Sequence, residues 1–243
     1  MGDATTWWIN TKITEGWTDG SMRSGATEYD SLRNQSELAL KHAEYRINTH
    51  TNEFDQIDAI LALKRAMQSR LDHLDRIYHI KQYPQYKQIG WLGILESWGV
   101  IRQRMLRRMR QLRNSVEHDG AEPPSLDDCQ DYCEVLWWFL RGTAPLLFPL
   151  RDMAVFFNEG ELSLSFEYNP IKITGTGTLD PEMLSDSALP GWAKIKTRPG
   201  ASDSITPQPG KIEGTLYVAF TATDPEWVSP LLRMGFEELL EVL

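Results

Sequence analysis

The sequence predicts a mainly α-helical N-terminal bundle followed by a small α+β domain. Up to residue 150, apolar residues recur at helical spacing through long segments, whereas the later segments are short and rich in β-branched and aromatic residues. The chain has 243 residues, of which 41% are hydrophobic and 24% are charged, so it is long enough to bury a core. We therefore expect an irregular arm over residues 1–30, the bundle over 31–150 and the α+β domain over 151–243.

Four helices are expected in the bundle, and two of their ends carry sequence signals. Gly120 stands where a glycine commonly ends a helix. Ser125 and Asp128 form an S-x-x-D sequence, which is typical of a helix N-terminus. Long helices joined by short loops pack antiparallel to one another in bundles. The predicted helices cover residues 31–50, 54–78 and 88–118, and the fourth begins at residue 126.

The C-terminal region has the pattern of short strands followed by one helix. The runs LSLSFEY, IKITGTGT, WAKIKT and GTLYVAFTA favour strands, and Pro, Gly, Asn and Asp separate them. Within the second run, TGTGT at 174–178 indicates a flexible strand at an edge of the sheet. Ser229 is a good N-cap and Pro230 a good first helical residue, so the last helix is expected to begin there.

Charge and cysteine content narrow the possible functions. A net charge of −9 disfavours broad non-specific binding to nucleic acid, although a local basic row still allows a polyanion to dock. Cys129 and Cys133 share a helical face and are expected to be small core residues. We expect no metal ion and no cofactor. No segment has the pattern of a signal peptide or a membrane span, which predicts a cytoplasmic protein.

RNSVEH, residues 113–118, is the short motif with candidate chemistry. On a helix, Asn114 and His118 are four residues apart and share a face, and the long side chain of Arg113 reaches the same side. A purely structural interpretation is also open. Arg113 and Glu117 are spaced as an ion pair, and a positive His118 would be favoured at the C-terminal end of the helix.

The motif and its surroundings resemble the HEPN domain family over roughly residues 54–148. The resemblance rests on an arginine followed by an amide residue, then a histidine, a glycine and a proline-containing loop that leads into a capped helix. The resemblance implies a homodimer whose two motifs meet in one cleft and cleave RNA without a metal ion. It also implies a toxin or an antiviral defence effector. Part of the family has a tyrosine two residues after the histidine as a modification target, but here Gly120 occupies that position.

The resemblance assigns a role to each polar residue of the motif. His118 would take the proton from a ribose 2′-hydroxyl, because imidazole titrates near neutral pH. Arg113 would stabilise the charge that builds on the phosphate, and Asn114 would hold the imidazole or the phosphate in place. Such a reaction leaves a 2′,3′-cyclic phosphate and a 5′-hydroxyl, and DNA is not a substrate because it lacks the 2′-hydroxyl.

A row of arginines precedes and enters the motif. Arg107 and Arg110 are candidates for contacts with RNA phosphates. A structural role for the row remains equally open, because the preceding helix offers acidic partners. The arginines of the row are Arg102, Arg104, Arg107, Arg108, Arg110 and Arg113, and the candidate acidic partners are Asp55, Asp58, Asp72 and Asp75.

Functions from different classes fit these observations. The first is an RNA-cleaving HEPN-type enzyme with an antitoxin or regulatory protein as a further partner. The second is an inactive HEPN-like module that binds or scaffolds within a larger complex, and a third is a helical protein with an accidental motif. Retention of all three polar motif residues favours catalysis, because a scaffold does not need them. The sequence specifies no RNA target, trigger or role for residues 151–243.

Overall fold

The structure, a computed structural model, describes most of the chain with several gaps. The described residues fall into two compact units. One draws on Met1–Ser24, Gln82–Gln85 and Pro149–Leu243, and the other on Gly25–Lys81 and Tyr86–Phe148. The described residues are 6–10, 17–23, 30–83, 85–102, 104, 106–107, 124–157, 160–169, 171–190, 192–197, 208–209, 216–223 and 225–240.

The second of these, the helical unit, is built from helices that pack along one another. Helices α1, α2 and α4 are in mutual contact. Asn52 caps the start of α2, where its side-chain oxygen accepts a hydrogen bond from the backbone N–H of Phe54 at 2.9 Å. The helices are α1 (Asp30–Asn48), α2 (Glu53–Tyr78), α3 (Tyr86–Ser97) and α4 (Leu126–Thr143), with 3-10 turns at Ile80–Gln82 and Ala144–Leu147.

A buried arginine connects three helices in the core of this unit. Arg70 on α2 is 0% exposed, and its guanidinium donates to the carbonyl oxygen of Leu140 at 3.1 Å. It also donates to Thr143 Oγ1 at 3.2 Å and to Ser36 Oγ at 3.3 Å. Leu140 and Thr143 lie in the last turn of α4, where unpaired carbonyls and the helix dipole favour a cation. Arg70 therefore fastens the C-terminal end of α4 to α1 and α2.

The predicted helix over residues 88–118 is wrong as one continuous element. Gly90 interrupts α3 with a φ of 63°, and α3 ends at Ser97. Gly99 then adopts a φ of 75°, while its N–H donates to Glu96 O and the N–H of Val100 donates to Leu95 O, both at 3.0 Å. This pair of hydrogen bonds around a left-handed glycine is the Schellman motif that ends helices. Helical conformation resumes at Arg104, and residues 108–123 lie outside the described residues.

The other unit, the sheet unit, contains one antiparallel sheet. Within the described residues its strand order is β2-β3-β4-β5-β9-β7-β1-β6, with β8 also paired to β9. One helix, α5 (Pro225–Leu240), belongs to this unit. The strands are β1 (Thr6–Asn10), β2 (Trp17–Arg23), β3 (Leu150–Phe157), β4 (Gly160–Tyr168), β5 (Ile171–Leu179), β6 (Leu184–Ser185), β7 (Trp192–Thr197), β8 (Gln208–Pro209) and β9 (Leu216–Ala222).

The prediction of a mainly helical N-terminal bundle followed by a small α+β domain is therefore wrong. The sheet takes strands from both ends of the chain, because β1 pairs with β6 and β7 and β2 pairs with β3. In addition, Gln82–Gln85 belongs to the sheet unit although it lies between two helices of the helical unit. The described parts of the predicted irregular arm over residues 1–30 are regular, since strands occupy residues 6–10 and 17–23.

Two finer predictions for this region are also wrong. TGTGT does not lie at a sheet edge, because β5 is paired on both sides, with β4 and with β9. Its Gly175 leaves room for a neighbouring ring, since a Cβ there would lie 2.2 Å from Phe220 Cζ. The last helix begins at Pro225 instead of Pro230, which lies inside it. Proline is well suited to a first helical position because its missing N–H has no helical partner there.

Candidate functional site

The structure describes only the borders of the predicted RNA-cleaving motif. Arg113, Asn114, His118 and Arg110 lie outside the described residues. Arg107 is helical and exposed, and the neighbouring Leu106 is buried with 3% exposure. The predicted catalytic and RNA-binding roles therefore stay predictions.

The chain leaves the motif region at a well-formed helix start. Ser125 Oγ accepts a hydrogen bond from the backbone N–H of Asp128 at 3.1 Å, and its carbonyl oxygen accepts from the N–H of Cys129 at 3.0 Å. The Ser125 hydroxyl also donates to the Asp128 carboxylate at 2.6 Å. The predicted S-x-x-D cap is confirmed, and it fixes where α4 begins.

The acidic residues of α2 that could have paired with the arginine row form ion pairs or hydrogen bonds with other residues. Arg46 pairs with Asp55 and with Asp58, each at 3.2 Å, and Lys81 pairs with Asp75 at 3.0 Å. The fourth, Asp72, accepts a hydrogen bond from Gln68 Nε2 at 2.9 Å. Within the described part of the row, the exposed Arg102, Arg104 and Arg107 form no ion pair. Their positive charge is therefore available to a polyanion.

A cavity of about 440 Å³, here called the basic cavity, lies along α2 where α1 contributes Gln35. Two of its cationic side chains, Arg65 and Arg76, are eleven residues apart. This is about three helical turns, so both lie on the same face of α2. Asp72 is the acidic side chain of its lining. The lining residues that matter here are Lys64, Arg65, Ser69, Asp72, His73 and Arg76.

Two buried polar atoms of the basic cavity lack a hydrogen-bond partner among the described residues. They are Ser69 Oγ and His73 Nδ1. His73 is only 3% exposed, and this burial lowers the pKa of its imidazole, with Arg70 and Arg76 lowering it further and Asp72 opposing them. The imidazole is therefore neutral at pH 7. Both atoms are themselves closed to solvent.

A second cavity of about 610 Å³, here called the aromatic cavity, lies between α2 and the start of α3. Trp91 and Tyr86 line it, with ring centroids 6.1 Å apart and nearly perpendicular planes. Apolar side chains of α2, such as Met67 and Leu71, and three lysines complete the surroundings. Lys64 and Gln68 line both cavities, so the two adjoin across α2. The lysines are Lys64, Lys81 and Lys87.

Sequence reasoning missed both cavities. The apolar positions of α2 predicted the helix correctly, but they directed attention to its packed face. The available signal was the polar face of the same helix, where Arg65, Asp72 and Arg76 recur at spacings of seven and four residues. Nothing in one sequence shows that α1 and α3 leave this face partly uncovered.

Other candidate chemistry in the described residues is limited. Cys129 is buried and Cys133 is half-buried, and burial raises the pKa of their thiols to about 11 and about 12, respectively. This fits the prediction that both are packed residues. No group of three or more His, Cys, Asp or Glu side chains in the described ranges is arranged to hold a metal ion. In the same ranges, no helix combines the length and the apolar character needed to cross a membrane.

Comparison with models of known protein families, with curated proteins and with solved structures found no match to this chain.

Proposed function

We propose that this protein is a metal-independent endoribonuclease of the HEPN type, acting as a homodimer on cytoplasmic RNA. The observation that carries the proposal is RNSVEH, which places Arg113, Asn114 and His118 between an arginine row and the cap of α4. In this proposal the protein is a toxin or defence effector, and an antitoxin or regulatory protein is a further partner. That part rests on the resemblance alone.

The reaction follows from the chemistry of the three side chains. The neutral imidazole of His118 removes the proton of a ribose 2′-hydroxyl, and the resulting oxygen attacks the adjacent phosphorus. The bond to the 5′-oxygen breaks, and an imidazolium of the second motif in the dimer protonates that oxygen. Arg113 donates hydrogen bonds to the phosphate oxygens as their charge increases. A two-fold axis brings the two motifs to one phosphate, which a single motif covers from one side only.

The arginine row supports an RNA substrate. Arg102, Arg104 and Arg107 are exposed, and the acids of α2 that could have paired with them bond to Arg46, Lys81 and Gln68. Each phosphate contact from such a side chain adds affinity that falls as salt rises. A net charge of −9 keeps the rest of the protein from binding nucleic acid indiscriminately.

The test uses purified protein and defined RNA in the presence of EDTA. We expect cleavage that leaves 2′,3′-cyclic phosphate and 5′-hydroxyl ends, and no cleavage where a 2′-deoxynucleotide precedes the target phosphate. Cleavage that is abolished by EDTA and restored by one divalent metal would contradict the mechanism. RNA binding without cleavage would favour the inactive module over the enzyme. Sedimentation of the active protein as a monomer at working concentration would contradict the dimeric site.

A further inference from the structure

The two cavities on α2 differ in the chemistry of their linings. The basic cavity presents Arg65 and Arg76, and the aromatic cavity presents Trp91 and Tyr86 among apolar side chains. Small-molecule sites are concave, mostly apolar and equipped with a few convergent polar groups, in volumes of roughly 300–1,000 Å³. Both volumes, about 440 and 610 Å³, lie within that range.

We propose that the basic and aromatic cavities together form a nucleotide-binding site, with the base in the aromatic cavity and the phosphate in the basic cavity. Lys64 and Gln68 line both cavities, so a single ligand contacts both parts across these two side chains. A nucleotide joins a flat aromatic group to a phosphate through a sugar of a few ångströms, which matches this division.

The aromatic cavity has the chemistry that receives a base. The edge-to-face arrangement of Tyr86 and Trp91 leaves aromatic faces for contact with another ring. Base–aromatic contacts of this kind tolerate any base, because every base has an aromatic face. Lys81 is held by Asp75 at 3.0 Å, whereas Lys87 is exposed at the rim. The cavity therefore selects a nucleotide by shape and charge more than by base identity.

The basic cavity has the chemistry that receives a phosphate. Arg65 and Arg76 offer forked donors, which suit phosphate oxygens, and within the described residues neither forms an ion pair. Asp72 is the one carboxylate among the lining residues, and it accepts a hydrogen bond from Gln68. Ser69 and His73 also line this cavity, and they add no negative charge to it.

The ligand comes either from free nucleotides or from one nucleotide of an RNA strand, and both present the same base and phosphate. The proposal goes beyond the ribonuclease function and does not depend on it, because the site residues belong to α2 and its neighbours and not to RNSVEH. Binding is therefore measured on the full chain with His118→Ala, so that RNA is not consumed during the experiment.

The experiment is calorimetric titration with AMP, UMP, inorganic phosphate and a short oligoribonucleotide. We expect AMP and UMP to bind with similar affinity and inorganic phosphate to bind more weakly. If the oligoribonucleotide binds much more tightly than AMP does, the natural ligand is a nucleotide of an RNA strand. If it binds equally or more weakly, the natural ligand is a free nucleotide. Absence of binding by all four ligands would overturn the proposal.

Matched variants test whether the binding seen occurs at this site. Arg65→Gln with Arg76→Gln should weaken AMP binding about tenfold or more. The control, Lys41→Gln with Arg151→Gln, removes the same two positive charges from exposed positions outside the cavities and should change affinity less than about twofold. Equal weakening by the two double variants would overturn the proposal, because it would show general electrostatic attraction instead of a site.

Discussion

Arg70 and His73 lie one turn apart on α2 and are almost equally removed from solvent, at 0% and 3% exposure, yet their surroundings differ. Arg70 donates hydrogen bonds to Leu140, Thr143 and Ser36 and so holds three helices together. His73 lines the basic cavity, and its Nδ1 has no hydrogen-bond partner in the described part of the chain. Burial alone therefore does not assign a role. A buried polar group that is bonded within the core supports the fold, whereas one without a partner lowers the stability of the fold.

The largest expected effect on stability comes from removing the buried side chain of Arg70. Arg70→Ala removes the buried hydrogen bonds to Leu140 O, Thr143 Oγ1 and Ser36 Oγ and opens a void, which should lower the free energy of unfolding by about 3 kcal/mol or more. Arg65→Ala is the control, because Arg65 is exposed on the same helix and its loss should cost less than about 0.5 kcal/mol. Urea unfolding followed by helical circular dichroism compares them. Equal effects of the two substitutions on the free energy of unfolding would show that the buried hydrogen bonds of Arg70 do not stabilise the fold.

A smaller effect is expected at the cap of α4, where the bonded group is exposed. Ser125 Oγ accepts from the backbone N–H of Asp128, so Ser125→Ala should destabilise the protein by about 1 kcal/mol. Ser125→Asp keeps an acceptor at the same position and should restore most of that loss. If Ser125→Asp were as unstable as Ser125→Ala, the cap would not be the cause.

The smallest effect is expected at His73, and only in acid. Its pKa is lowered in the folded protein by burial and by Arg70 and Arg76, so below about pH 6.5 the unfolded chain binds the proton more readily. Stability should therefore fall as pH decreases through this value, and His73→Gln should reduce that dependence. His42→Gln, at an exposed position of α1, is the control and should leave the dependence unchanged. Thermal melts at pH 7.5 and pH 5.5 measure the difference.

The helices that the sequence predicted well are those whose signals are local. The side chains of Asn52 and Ser125, the residues just before α2 and α4, cap the first turns of these helices, and apolar residues recur at helical spacing along both. The prediction for residues 88–118 was wrong because apolar periodicity continued across Gly99. Gly99 is itself a local stop signal, and it was outweighed by the pattern on both sides of it.

The sheet and the cavities depend on contacts that are distant in sequence. Pairing of β1 with β7 joins residues near 6 to residues near 196, and no local pattern reports such a pairing. TGTGT resembled an edge because glycines weaken strands, but Gly175 lies beneath the ring of Phe220 in the interior of the sheet. The cavities likewise arise from how α1 and α3 cover α2, which a single sequence does not report. The motif at 113–118, by contrast, is a prediction from local residues alone, and it lies outside the described residues.

The proposed cleavage of RNA by RNSVEH is tested most directly by comparing the cleavage rate and the melting temperature of His118→Ala on one protein batch. His42→Ala, an exposed histidine of α1, is the matched control. We expect His118→Ala to cut RNA about 10²–10⁴ times more slowly, with a melting temperature close to that of the original protein, and His42→Ala to change neither. A His118→Ala protein that melts much earlier and still cuts RNA at the original rate would show that His118 supports the helix end and not the reaction.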